Sequence, residues 1–305
     1  MPPFLHIESM SKWYGQVIAL NDIDFESDVP ILGLLGPNGA GKSSLLKLLV
    51  GLSRPSRGKV EVFGLQPWQN HDLLAGLGYT PEHHKLYDRL TPIQFVSLLL
   101  QLSGYLSETA YDMAARAIEQ LALGEKKDAP IHTLSHGMRQ RVKLAQAIAH
   151  HPSWLVLDEP LTGMDPLGRN MTIEMVRRMA AEGTRVIVSS HVLHELEALT
   201  SDILLLNRGR LLAQGSVAEI RELIDEHPHR ILIKSENIRS LGRELAGYDY
   251  VKRIEFEPGH LVVETDRPDD FYTMIGELAA GDDFIVHSMI SLDDNLEAVF
   301  RYLVK

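Results

Sequence analysis

Cysteine is absent from all 305 residues, which excludes a disulfide framework and any thiolate metal site. That fits a reducing compartment. Basic residues are also short in number: 30 Lys and Arg stand against 41 Asp and Glu, a formal charge of −11, the wrong sign for a protein that grips nucleic acid through a broad cationic surface. Long apolar runs are missing too. Val96 to Leu102 is interrupted by Ser97 and Gln101, well short of the about 18–20 residues that a membrane helix needs. Met1-Pro-Pro-Phe-Leu-His-Ile-Glu8 lacks the charged start and apolar stretch of a secretory signal, so the chain is expected to be soluble by itself.

What is present centres on Gly36-Pro37-Asn38-Gly39-Ala40-Gly41-Lys42-Ser43, with Ser44 following. Ile31–Leu35 ahead of it reads as a buried strand, and Ser43–Val50 behind it reads as a helix. A glycine-rich loop in that position is a phosphate cradle. Gly39 and Gly41 let backbone N–H groups approach phosphate oxygens, and the following helix points its positive end at the same anion. Lys42 is placed to reach the β- and γ-phosphates. Ser43 offers a hydroxyl to Mg²⁺, a hard cation that binds a few protein oxygens together with those of the nucleotide.

Further landmarks follow in order. Trp154-Leu-Val-Leu-Asp158-Glu159 is an apolar strand delivering two carboxylates at its C-terminal end, the edge where open α/β sheets gather ligands. Asp158 suits the Mg²⁺ shell, and Glu159 is placed to orient or deprotonate a water attacking the γ-phosphate. Thr184–Ser190 is a further strand ending at His191, which is positioned to hydrogen-bond a phosphate or that water; a structural histidine is the competing view. Ser135, ahead of a long amphipathic helix, is by itself an N-cap. Tyr14 offers a ring that could stack on a base, and taken alone it reads as a core residue. The histidine pairs His83-His84 and His150-His151 read as surface residues.

Organisation is expected as a first domain over 1–226 and a second over 227–305. In the first, Phe4–Ser9 reads as an edge strand, and helical patterns from Thr91 to Leu123 form an insert, giving a helical subdomain at about 83–151. A hairpin around Asn207-Arg-Gly209 precedes a helix over Ser216–Asp225, and Glu226–His229 reads as a linker. Beyond it the pattern resets to βαββαβ, a small ferredoxin-like α+β domain capped by a helix from Leu292 to Leu303.

Taken together, the phosphate loop, Leu134-Ser-His-Gly-Met138, the Asp158-Glu159 strand, Gly163-Met-Asp165 and His191 resemble the ATP-binding cassette (ABC) transporter family over about residues 4–225. The resemblance implies a P-loop ATPase fold of α/β class. It implies a homodimer holding two ATP molecules, each between one subunit's phosphate loop and the other's signature stretch. By that likeness Tyr14 stacks on adenine, Ser135 and Gly137 contact the γ-phosphate across the dimer, Asp165 lies at the seam, and His191 positions the γ-phosphate. Glu82 stands where the family commonly has a glutamine that touches Mg²⁺. His136 and Met138 replace the third and fifth residues of the usual Leu-Ser-Gly-Gly-Gln. The single cassette and the extension look like ATPase subunits of exporters for drugs, polysaccharides or ions, which pair with a separately encoded membrane permease at the inner face of the cell membrane. A nucleotide-driven switch on a soluble assembly is the alternative, and a module that binds ATP but hydrolyses it poorly is a third.

Overall fold

The computed structural model describes residues 2–82, 85–216, 219, 229–280 and 284–292, and it divides into two compact units, Met1–Gly215 and Ser216–Lys305. The first unit carries two sheets. β1 (Leu5–Tyr14) lies between β2 (Val17–Ser27) and β4 (Arg57–Val62) in a three-stranded antiparallel sheet. β1 is thus a central strand, not the edge strand its opening alternation suggests. It also runs further, because left-handed backbone at Ser9 (φ 44°) and Asp22 (φ 53°) lets the ladder shift register instead of stopping. The Asp24 carboxylate accepts from the Ser9 amide at 2.7 Å and holds that irregularity.

The second sheet is six-stranded, in the order β5 (Leu77–Thr80), β6 (Trp154–Asp158), β7 (Arg185–Ser190), β3 (Ile31–Leu35), β8 (Asp202–Asn207) and β9 (Arg210–Ser216). From β5 through β8 the neighbours pair in parallel. Every residue of β3 and β6 is buried, as continuous apolar runs in a covered parallel sheet require. All five C-terminal ends therefore face one way, the edge where open α/β sheets gather ligands.

Helices are set by local caps. α1 (Lys42–Leu49) follows the glycine loop directly. α2 (His71–Ala75) is started by Asn70, whose side chain accepts from the Leu73 amide; the sequence pattern did not reveal this helix. The helical insert comprises α3 (Pro92–Leu102), α4 (Ser107–Gln120) and α5 (His136–Ile148). Thr91 and Gln94 form a reciprocal capping box on α3, and Ser135 caps α5. α6 (Pro166–Ala181) begins with Asp165 as its cap and proline in the first turn, and α7 (Leu193–Glu197) is a short helix after β7. One of the histidine pairs read as surface is corrected here. His150 is half-buried, its Nε2 2.9 Å from the Leu77 carbonyl, so the ring serves as a donor from a helix end to a strand. His83 and His84 lie outside the described residues.

The second unit contains β10 (His229–Ser235), α8 (Ile238–Leu245), β11 (Val251–Glu257), β12 (His260–Thr265), α9 (Pro268–Ala280) and β13 (Val286–Ser291). Its strands pair antiparallel in the order β11-β12-β10-β13, the ferredoxin-like arrangement of a βαββαβ chain. Ile231, Ile233, Leu261 and Val263 alternate toward one face and pack with Leu241, Leu245 and Phe271 from the helices. The helix expected over Ser216–Asp225 and the capping helix from Leu292 lie outside the described residues, apart from Ser216 in β9, Glu219 and Leu292.

Candidate nucleotide site

The loop from Gly36 to Ser43 turns between the central strand β3 and α1. Gly39 and Gly41 adopt φ of 80° and 108°, values that side chains resist. A Cβ on Gly41 would also stand 2.8 Å from both the Ala19 carbonyl oxygen and a Leu20 methyl. Glycine is required there on two counts. The turn after β8 braces the loop from behind, since Gly209 donates to the Ala40 carbonyl at 2.8 Å and accepts from the Asn21 amide at 2.7 Å.

Around this loop lies a cleft of about 460 Å³, lined by Val17, Ile18, Asn38, Lys42, Glu82 and Arg208 among others. Pro37, Ala40, Ser43 and Ser44 also line it, so the phosphate loop from Pro37 onward and Glu82 share one cavity. Tyr14 ends β1 opposite Val17, 45 % exposed, with the Lys12 ammonium 5.0 Å from its ring centroid. The ring is thus exposed beside Val17, which lines the cleft, rather than packed in the core. A larger groove of about 590 Å³ lies elsewhere, between β5, α3 and α5.

Lys42, which lines the cleft, meets the Glu159 carboxylate just past the end of β6. Lys42 Nζ donates to the Gly36 carbonyl at 2.6 Å and stands 3.3 Å from Glu159 Oε1, with both side chains at least nine-tenths buried. That Lys42 contact is an ion pair by distance and lacks the angle of a hydrogen bond. The other oxygen, Oε2, lies 2.9 Å from His191 Nδ1 and accepts from the Thr162 hydroxyl at 3.4 Å. Lysine, glutamate and histidine thus form one continuous line of contacts. Glu159 holds this position with φ of 52°, a left-handed conformation that costs a non-glycine residue about 1–3 kcal/mol. Its amide donates to the Ser189 hydroxyl at 3.0 Å, and Gln140 donates to its carbonyl at 3.4 Å.

Asp158 is 2 % exposed and accepts from the Ser189 hydroxyl at 2.5 Å. Burial, aided by the Asp158 charge, pushes the nearby Tyr79 phenol up to about 12. Lys143 on α5 donates to the Glu82 carbonyl at 3.0 Å; burial pulls its ammonium below the usual lysine range while the Glu82 charge opposes that shift. Ser135 and Gly137 occupy the start of α5: the Ser135 oxygen accepts from the Met138 amide at 3.2 Å, and Gly137 lies against Met164. The described lining of the loop cleft includes neither residue. Ser189, Gln140 and the Arg208-Gly209 turn support the site without having been singled out in the sequence.

A glycine loop between the central strand and α1, with paired acids on a strand two places away, defines a P-loop nucleotidase. The ABC transporter family model matches residues 20–162. The Nod factor export ATP-binding protein I of Ralstonia nicotianae is 34 % identical over 224 residues, 72 % of this chain and 68 % of that protein. BcrA, the bacitracin transport ATP-binding protein of Enterococcus faecalis, is 33 % identical across 72 % of this chain and 71 % of its own. DrrA, the daunorubicin/doxorubicin resistance ATP-binding protein of Streptomyces peucetius, is 29 % identical across 90 % of this chain and 84 % of its own. Among solved structures, the ATP-binding subunit of an ABC transporter superposes with a TM-score of 0.64 at 27 % identity, over 72 % of this chain and 92 % of that one. The chain belongs to the ABC transporter ATP-binding family, and it is an ATP-binding, ATP-hydrolysing cassette.

Proposed function

We propose that this cassette powers export through a separately encoded membrane permease, acting as a homodimer on the cytoplasmic face of the membrane. The observation that carries the reading is the Lys42-Glu159-His191 line beside the phosphate loop, which supplies a phosphate-binding cation, a carboxylate base and a histidine to hold it. The relatives named for Nod factor export and drug resistance support the direction of transport. A dimeric solved structure of a bacterial ABC transporter cassette shares the fold, with a TM-score of 0.64 at 21 % identity. Among the described residues no helix is long and apolar enough to cross a membrane. In this reading the membrane path belongs to the permease. Leu98, Leu102 and Leu106 are exposed on and after α3, near the about 590 Å³ groove, and offer an apolar face to such a partner.

The donor set fits Mg²⁺. Ser43, Asp158 and Glu82 all offer oxygen, yet among the described residues no three His, Asp or Glu side chains cluster as a self-sufficient metal site. The nucleotide's phosphates would complete the shell. When bound, the ion neutralises charge on the β- and γ-phosphates. The protein groups then divide the work. Lys42 and the loop amides hold the phosphates, Tyr14 stacks on adenine, and Glu159 orients or deprotonates the attacking water. His191 holds that arrangement through Glu159. Ser135 and Gly137, which are not among the residues lining their own subunit's cleft, serve the γ-phosphate of the second copy. Residues 1–226 form the cassette and 227–305 an accessory domain in this reading.

Affinity purification of the tagged chain from gently solubilised membranes tests it. Co-purification of a multi-span membrane protein is expected. Recovery of soluble partners only, with none of the chain on membranes, would overturn the transporter reading in favour of a switch on a soluble assembly.

A further inference from the structure

His191 is held on both sides by a network that reaches well away from the nucleotide cleft. The preceding residue, Ser190, is 2 % exposed; its hydroxyl donates to Glu195 Oε2 at 2.8 Å and accepts from the Val192 amide at 3.0 Å. One side chain therefore brackets His191 from the residue before to the residue after. The Ser190 carbonyl also accepts from the Gly36 amide at 3.4 Å, so the same residue touches the start of the phosphate loop.

Glu195 is nine-tenths buried, and a carboxylate so placed is costly unless paired. Its partner comes from a different element: Arg169 on α6 lies with NH1 3.4 Å from Glu195 Oε1. α6 is the helix that Asp165 caps, its carboxylate accepting from the Gly168 amide at 2.7 Å. The path is continuous. It runs from Glu159 through His191 and Ser190 to Glu195, then through Arg169 to the helix that starts at Asp165.

We propose that Glu195 and Arg169 are positioning residues, a strut that fixes the His191 ring against Glu159 and couples it to the Asp165 end of α6. The inference rests on the role given to His191 above. Neither residue touches the cleft, so the strut acts on turnover and leaves ATP binding alone. Because Glu195 bonds the hydroxyl that brackets His191, loss of its charge loosens the ring through Ser190. Because Arg169 is the only element of the strut on α6, its loss releases the same constraint from the far end.

The test is steady-state ATP hydrolysis by the full-length chain carrying Glu195→Gln, Arg169→Gln, both together, or Arg169→Lys, with His191→Ala alongside. Each Gln variant should lower kcat roughly tenfold, with the KM for ATP held within about twofold; Arg169→Gln, which leaves the Glu195 carboxylate without its guanidinium, should also lower Tm, whereas the double variant should restore it. The double variant should be no worse than the poorer single one, because both cut the same path. Arg169→Lys should recover most of the rate. Arg169 is 44 % exposed, so its variants keep the question answerable even where Glu195→Gln fails to fold. A normal kcat in both Gln variants beside an inactive His191→Ala would overturn the strut alone. Full turnover in His191→Ala would remove the histidine's role, and the strut with it. Losses that add in the double variant, or that appear in KM and Tm instead of kcat, would reduce Glu195 and Arg169 to ordinary packing.

Discussion

The two units use the same ingredients, a sheet covered by helices, and differ in how deep their charges go. In Met1–Gly215, beside surface pairs such as Arg139 with Asp88, Lys42 and Glu159 are 7 % and 5 % exposed, and Asp158 lies at the end of a wholly buried strand. Among the described residues of Ser216–Lys305 the ion pairs run from half-buried, Arg230 with Glu264 at 23 % each, to exposed, Lys252 with Asp266 at 46 % and 44 %, and none reaches the depth of Lys42 and Glu159. Strand direction accounts for the difference. A parallel sheet gathers its C-terminal ends on one edge, where the chain leaves each strand by a loop free to carry chemistry. An antiparallel sheet spends its strand ends on hairpins such as Pro258-Gly259, and its charges decorate the surface. In the proposed mechanism the buried pair serves the reaction, whereas surface pairs contribute little even to stability.

That contrast can be broken most forcefully at Glu159. Glu159→Gln keeps the size of the side chain and removes its basicity, so turnover should fall about 100- to 1,000-fold while ATP still binds. Single-turnover hydrolysis and nucleotide binding measured on the same preparation check both halves. In the second unit the largest effect should be on stability. Phe271 is fully buried among the helices and strands there, and Phe271→Ala should cost about 3–5 kcal/mol in a denaturant titration while ATP affinity stays within twofold of the parent. A matching loss of affinity would end the division of labour between the two regions.

Lys42→Ala should weaken ATP binding by roughly 10- to 100-fold, since it removes the cation facing the phosphates and leaves Glu159 buried without its partner. Equilibrium binding of a fluorescent ATP analogue measures this. The smallest effect concerns His150. Burial lowers its pKa below the ordinary 6.5, so the unfolded chain takes up the proton first. Its contribution to stability is complete above that value and is lost as the pH falls below it. The Tm of the parent should therefore drop more steeply than that of His150→Gln between about pH 7 and pH 5.

The phosphate loop, the acid-tipped strand and the order of the second unit were all legible because each depends on neighbours in sequence: glycines between a strand and a helix, or alternation along a strand. The features that escaped depend on register and distance. Ser189 reaches Asp158 only because β6 and β7 pair with those two residues side by side. His150 finds the Leu77 carbonyl 73 positions earlier in the chain. β1 continues past Ser9 because Asp24 from the neighbouring strand ties down a local irregularity. α2 has five residues, too few for a helical period to show. The left-handed backbone of Glu159 has no signal in its own side chain, for it is imposed by bonds to Ser189 and Gln140.

Lys42 has one ammonium group and two claims upon it. It is shared between the loop carbonyls and Glu159. If the proposed roles hold, a triphosphate would bring a denser negative charge to the same few ångströms and compete with the carboxylate for that one ammonium. Nucleotide binding and the freeing of Glu159 would then be linked by a single shared cation.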